Sequence, residues 1–252
     1  MNRTVLVTGA TGGIGAAVAC RFLTDGASVV LSDLDEERCA ELADRLDAPG
    51  RVQTVAADIS GTTAARDCVR RAWELAGGLD VLVNAAGIYP SRQLLEMDDA
   101  EWRRVLGVNL DGPFALATEF ARMLVAAGRP GDIVNITSGA GERARRGAGH
   151  YCTSKAGLTM LTKALALELA EHRIRVNAVS PGFIPVDSDI NPLRTEYVDA
   201  IEAARPWPRS GTPADVASAV SYLCSADAEW VTGAALSVDG GAGAGSAALP
   251  LS

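Results

Sequence analysis

The chain has 252 residues, 48% apolar and 21% charged, a composition that suits a globular protein with one large core. Its net charge of -8 gives no basic footprint for nucleic acid or an anionic membrane surface, and no apolar run reaches membrane-spanning length. Five cysteines at irregular spacings, no C-x-x-C pair and only two histidines leave no legible zinc site, so small-molecule chemistry without a metal, in the cytoplasm, is the expectation.

In chain order, short β-branched or Leu-rich runs predict strands at 4–8, 28–32, 51–56, 81–84, 132–137, 175–179 and 235–238. Helical periodicity between them predicts helices at 13–24, 36–46, 64–76, 102–126, 152–171 and 215–223. The strand runs are continuously apolar, as in strands buried on both faces. The expected fold is therefore α/β: a Rossmann-like, doubly wound, seven-stranded parallel sheet with helices on both faces, in one domain over 1–252. A ligand belongs beyond the carboxyl ends of such strands, where the strand order reverses. The Pro-, Asp- and Trp-bearing stretch 183–213 has the composition of a substrate lid.

The first strand runs into Thr8-Gly9-Ala10-Thr11-Gly12-Gly13-Ile14-Gly15, and a helix follows directly. Glycines there let backbone N–H groups and the positive helix end approach a pyrophosphate. The spacing is Gly-x-x-x-Gly-x-Gly rather than Gly-x-Gly-x-x-Gly, so a packing turn is the alternative reading of this cluster alone. Asp33 closes the second strand where a carboxylate accepts from an adenosine ribose. A 2'-phosphate about 4 Å away would be repelled by roughly 4 kcal/mol per charge pair. No cation offsets this at Gly12 or Leu34, and Asp35, Glu36 and Glu37 add negative charge, so NAD(H) is expected over NADP(H). Asp58 and Ile59 end the third strand region where an adenine edge and face would lie, with a plain helix cap as the alternative for Asp58. Asn84-Ala85-Ala86-Gly87 closes the fourth strand with small residues that let a cofactor cross the backbone.

Tyr151 and Lys155 stand four residues apart and follow Ser138. With about 3.6 residues per helical turn they point the same way and share a ligand. A phenol titrates near 10, and bringing it to near 7 takes about 4 kcal/mol, which a fixed cation in a partly dry site supplies. Tyr151 is the expected general acid/base. The loop before it holds Arg143, Arg145 and Arg146, either a grip for an anionic group or a solvated basic turn, and His150 is a substrate contact or a bystander. Cys152 has no neighbouring base and is not expected to be a nucleophile. Apolar residues spread around helix 152–171 and crowd 114–124, which predicts packing against a second copy; cover from the same chain is the alternative. The Gly/Ala-rich tail 241–252 is expected to be flexible.

These ordered motifs resemble the short-chain dehydrogenase/reductase family over nearly the whole chain: residues 8–15 match T-G-x-x-x-G-x-G, 84–87 N-N-A-G, 109–112 N-x-x-G and 151–155 Y-x-x-x-K. Ser138, Pro181-Gly182 and the closing Val238-Asp239-Gly240-Gly241 follow the same order. Ala85 replaces the second Asn of N-N-A-G, and Val186 stands where many relatives carry Thr. The resemblance implies hydride transfer between NAD(H) and a secondary alcohol or ketone, in a homotetramer or homodimer. It implies that Tyr151 moves the proton, Lys155 holds the nicotinamide ribose and lowers the Tyr pKa, Ser138 polarises the carbonyl, Asn109 holds a water in a proton relay, and the Ile184 backbone meets the carboxamide. A carrier-protein ketoreductase and a catalytically inactive NAD-binding protein are the alternatives.

Overall fold

The computed structural model describes residues 3–185, 198, 202–203 and 206–245. Seven strands, β1 (Thr4–Thr8), β2 (Ser28–Asp33), β3 (Val52–Ala56), β4 (Val81–Asn84), β5 (Gly131–Ile136), β6 (Ile174–Pro181) and β7 (Ala235–Val238), form one sheet in the order β3-β2-β1-β4-β5-β6-β7. Every pairing is parallel, in agreement with the continuous apolar runs. The seven helices are α1 (Gly13–Thr24), α2 (Glu36–Leu46), α3 (Thr62–Ala76), α4 (Asp99–Leu106), α5 (Gly112–Ala126), α6 (Gly149–Leu169) and α7 (Pro213–Leu223) among the described residues.

Side chains alternate between two cores because successive strand residues point to opposite faces. Val5, Val7, Val29, Leu31, Val81, Val83 and Val134 pack with α1 and α7. Leu6, Val30, Leu82, Ile133 and Val176 pack on the other face with α3, α5 and α6. Each such Leu or Val contributes about 1.5–3 kcal/mol on burial, so the central strands anchor the fold while β7 lies exposed at the edge. At the amino end of the sheet, Asp132 is held between Arg3 and Arg175, whose Nη2 stands 2.7 Å away. At the carboxyl end the strand order reverses between β1 and β4, the expected ligand crevice.

Two expectations are corrected. The helix expected over 102–126 is divided by a π-helical turn at Gly107–Asp111. Pro113 has no N–H to give to the carbonyl of Asn109 four residues back, and the wider turn absorbs the gap. Helix α6 starts at Gly149, three residues before the expected 152, which brings Tyr151 into its first turn. Four cysteines are buried as expected of small hydrophobes, and Cys20 is exposed. The first tail residues are not loose: Asp239 accepts from the N–H groups of Gly241 at 2.9 Å and Gly243 at 2.7 Å, and Arg143 Nη2 donates to the Ala242 carbonyl at 2.7 Å. Of the expected lid, Val186, Asp187, Ser188, Asp189, Pro192, Arg194 and Tyr197 lie outside the described residues, as do residues 246–252 of the tail.

Arg173 closes the 3-10 turn Ala170–His172 that follows α6, in the left-handed region at φ 57°, where a side chain is strained and glycine is not. Arg173→Gly is expected to raise stability by about 0.5–1 kcal/mol, read as a higher urea midpoint at unchanged slope. A lower midpoint refutes the strain.

Candidate active site

The glycine turn presents its backbone. Gly12 caps α1 without a side-chain bond, and no acidic residue occupies the first turn, so the N–H groups at this helix start face an exposed edge. Gly9 sits at φ 64°, and a Cβ there would lie 2.5 Å from the Ala86 Cα, so the turn packs directly on the segment after β4. A Cβ on Gly15 would strike the Gly9 carbonyl, so neither glycine tolerates a side chain. A pyrophosphate fits this edge because the helix start carries no side-chain cap and its walls are bare backbone; within the turn, the Thr11 N–H is taken by Asp33.

Asp33 ends β2 beside that turn. Its Oδ2 accepts from Thr11 N at 2.9 Å and Thr11 Oγ1 at 2.7 Å, and its Oδ1 from Leu34 N at 2.8 Å. A carboxylate has about four acceptor sites, so capacity remains for a ribose hydroxyl. Leu34 is 69% exposed next to it, an apolar surface at the adenosine end. Asp58 is exposed and accepts from Ser60 N at 2.9 Å. Two site expectations shift. Ile59 turns its side chain into the core, where its Cδ1 and its carbonyl oxygen both lie against Gly112. Asn84 is fully buried and donates to Asn135 Oδ1 at 2.8 Å, while Asn135 donates to Thr162 at 2.9 Å. Its side chain braces β4 against β5 and α6 and does not reach outward.

The chemistry-bearing residues converge at the ends of β4 and β5. Ser138 follows β5, and its hydroxyl caps the turn at Gly139–Gly141, accepting from Ala140 N at 3.2 Å. The Ser138 side chain neighbours the Tyr151 phenol and acts on it to lower its pKa. Lys155, one turn along α6, is buried; its Nζ donates to the Ile136 carbonyl at 2.8 Å and stands 5.7 Å from the Tyr151 ring centroid. A Cβ on Gly87 would lie 3.4 Å from both Lys155 Nζ and Asn109 Oδ1, so these three line one small space. Ser138, Tyr151, Lys155, Asn109 and Gly87 are thus brought together. Pro181 ends β6, and Ile184 follows it with its side chain packed toward Gly211.

The electrostatics differ from expectation. Burial pushes the Tyr151 phenol above its ordinary value, opposed by the Ser138 side chain and then by the charge of Arg145. Lys155 was expected to bring that phenol toward neutrality; its own ammonium is pushed down to about 8 by burial. At neutral pH the phenol is therefore protonated and the ammonium charged.

Two residues of the site, Ser154 and Tyr89, carry no sequence expectation. Ser154, buried, donates to the Tyr151 carbonyl at 2.8 Å and accepts from Asn109 Nδ2 at 3.1 Å. The same Asn109 nitrogen donates to the Ile88 carbonyl at 2.8 Å, and its Oδ1 accepts from Ile88 N at 2.9 Å. Ser154 stands three residues after Tyr151, one turn on the same helix, and that spacing was the available signal. Tyr89 sets its ring edge-on to Tyr151, 5.9 Å between centroids, and His150, expected as a substrate contact or a bystander, is wholly buried.

A parallel sheet with a bare phosphate-binding turn at its switch point and a Ser–Tyr–Lys cluster across the crevice defines a nicotinamide-cofactor oxidoreductase. A family model described as enoyl-(acyl carrier protein) reductase matches residues 9–243. Nodulation protein G of Rhizobium sp. (strain N33) is 41% identical over 95% of this chain and 96% of its own. A 3-oxoacyl-(acyl-carrier-protein) reductase of Chlamydia pneumoniae is 35% identical over 96% of this chain and 97% of its own. A solved structure of 4-hydroxyisoleucine dehydrogenase complexed with NADH superposes with a TM-score of 0.88 at 31% identity, covering 97% of this chain and 100% of that one. The chain belongs to the short-chain dehydrogenase/reductase family.

Lys155 links the site to pH. Its folded value of about 8 lies below the ordinary 10.5, so between these values the unfolded chain binds the extra proton. Stability from this group therefore rises with pH across that window, by about 3 kcal/mol in full. Urea unfolding from pH 7.5 to 10.5 is expected to show this rise in the wild type relative to Lys155→Met. Parallel pH profiles of the two proteins would refute it.

Proposed function

We propose that this chain is a cytoplasmic NAD(H)-dependent oxidoreductase that interconverts a secondary alcohol and a ketone by hydride transfer, with Tyr151 as general acid/base. The observation that carries the reading is the Tyr151 phenol beside Ser138, with the buried Lys155 ammonium one helical turn along and 5.7 Å from its ring centroid. The bound nicotinamide supplies or accepts the hydride. The substrate oxygen is held by the Ser138 and Tyr151 hydroxyls, two donors aimed at the atom where negative charge develops. In ketone reduction Tyr151 gives its proton to that oxygen; in alcohol oxidation it takes one away. Burial keeps the phenol protonated at neutral pH, so reduction finds its proton in place. Lys155 holds ribose hydroxyls with the donors not spent on Ile136, and Asn109 holds a water at the space beside Gly87, through which the proton is replaced.

Asp33 sets the cofactor preference. Its carboxylate, with Asp35, Glu36 and Glu37 following, disfavours a 2'-phosphate by roughly 4 kcal/mol per close charge pair, several hundredfold or more in affinity. The NADH-bound relative agrees with this preference. Phe114 at 42%, Met160 at 64% and Leu167 at 83% exposure leave an apolar surface on α5 and α6 that a homotetramer or homodimer would cover. A second reading is ketoreduction of a carrier-bound 3-oxoacyl thioester, favoured by the carrier-protein reductase among the relatives. Both readings use the same four side chains and differ in the substrate's handle.

Tyr151→Phe is expected to lower kcat by about 10²–10⁴-fold with little change in NADH affinity, followed by NADH absorbance over a panel of ketones that includes acetoacetyl-CoA. Undiminished turnover removes Tyr151 from the acid/base role. NADH is expected to outperform NADPH in kcat/KM, and Asp33→Ser to narrow the gap by at least tenfold; a wild-type preference for NADPH overturns the role given to Asp33.

A further inference from the structure

The first turn of α6 carries Tyr151 yet lacks an ordinary cap. Ala148, at the N-cap, has no side-chain acceptor to offer the orphan N–H groups of that turn. The imidazole of His150 takes this place: Nδ1 accepts from the Tyr151 backbone N–H at 2.9 Å. Because Nδ1 accepts, the ring proton sits on Nε2. Nε2 is buried and makes no hydrogen bond among the described residues; Glu101 Oε1, on the first turn of α4, stands 3.6 Å away. The other oxygen of that carboxylate accepts from Arg92 Nε at 2.6 Å, and the Arg92 backbone N–H donates to the Gly147 carbonyl at 2.8 Å, just before α6. Gly147, Arg92, Glu101, His150 and Tyr151 thus form one circuit beside the phenol.

We propose that Arg92, Glu101 and His150 are positioning residues for Tyr151, an inference that rests on Tyr151 being the general acid/base. A half-turn of the imidazole about its χ2 axis would exchange Nδ1 for Cδ2 and leave the Tyr151 N–H without an acceptor. The same half-turn would bring Cε1 in place of Nε2–H before the Glu101 carboxylate. The carboxylate therefore selects the ring orientation that caps Tyr151, and Arg92 fixes the carboxylate. Ser154 holds the Tyr151 carbonyl from the opposite side of the same residue, so both backbone polar groups of Tyr151 are held by side chains. Phenol and Ser138 meet only while that backbone stays in place.

The test uses the full-length protein labelled with 15N. Only two histidines are present, and His172→Gln assigns the resonances. His150 is expected in the Nε2–H form, with the Tyr151 amide protected from hydrogen exchange. Glu101→Ala and His150→Leu are expected to speed Tyr151 exchange at least tenfold while Leu158, two turns on, stays within twofold. His150→Asn, which keeps an acceptor near the Nδ1 position, is expected to restore most of the protection, and Glu101→Ala added to it to change nothing further. In kinetics His150→Leu is expected to lower kcat at least tenfold with the NADH KM within twofold. An Nδ1–H ring, or Tyr151 exchange unmoved by Glu101→Ala, overturns the proposal. So does uniform acceleration along α6, which marks a merely structural role. Full turnover in Tyr151→Phe with the exchange pattern intact would instead remove the acid/base reading and leave the positioning in place.

Discussion

One buried ammonium organises the carboxyl end of this sheet. Lys155 is taken out of water, and a charge so placed needs a fixed acceptor; the Ile136 carbonyl, 2.8 Å away, is that acceptor. The bond ties α6 to the last residue of β5 and so sets where the helix lies over the sheet. Glycines line its surroundings: a Cβ on Gly87 would touch Nζ at 3.4 Å, and one on Gly141 would come within 2.9 Å of the Lys155 carbonyl carbon, so α6 packs closely there. Ser138, two residues beyond Ile136, and Tyr151, one turn before Lys155, have little freedom left. Their meeting is a consequence of housing the cation.

The two ends of the sheet divide their labour. At the amino end, Asp132 is buried between Arg3 and Arg175, a closed set of charges that joins the chain start to β5 and β6. At the carboxyl end the polar groups are left partly open: the uncapped start of α1, the spare acceptor sites of Asp33, the phenol and hydroxyl of Tyr151 and Ser138. Closed polar groups hold a fold together, whereas open ones are where a ligand gains its binding energy.

Much of this was legible in the residues. Continuous apolar runs gave the seven strands with ends within two residues, because strands buried on both faces admit few polar interruptions. The site residues were legible as types at spacings, since glycines at a turn and a Tyr–Lys pair on one helical face are local statements. What stayed hidden is non-local. The inward turn of Asn84 depends on Asn135 and Thr162 from elements far along the chain, and the burial of Ile59 depends on the gap at Gly112. The direction of the Tyr151 shift is non-local for the same reason: the cation four residues on is visible along the chain, and the desolvation that raises the phenol is set by the packing around it.

The π-helical turn at Gly107–Asp111 also sets a phase between two helices. Each residue of an α-helix advances the side-chain direction by about 100°, so one residue more in a turn rotates everything after it by that angle. Phe120, Leu116 and Leu124 on α5 meet the core in that rotated frame, while Val105 on α4 meets it in the earlier one. Asn109 lies at the seam, where neither frame governs, and its amide is consequently free to look inward between Ile88 and Ser154. Removing a single residue here would turn one of the two helices by that angle and carry its oily stripe away from the core, so this seam is constrained in its length as well as at Asn109.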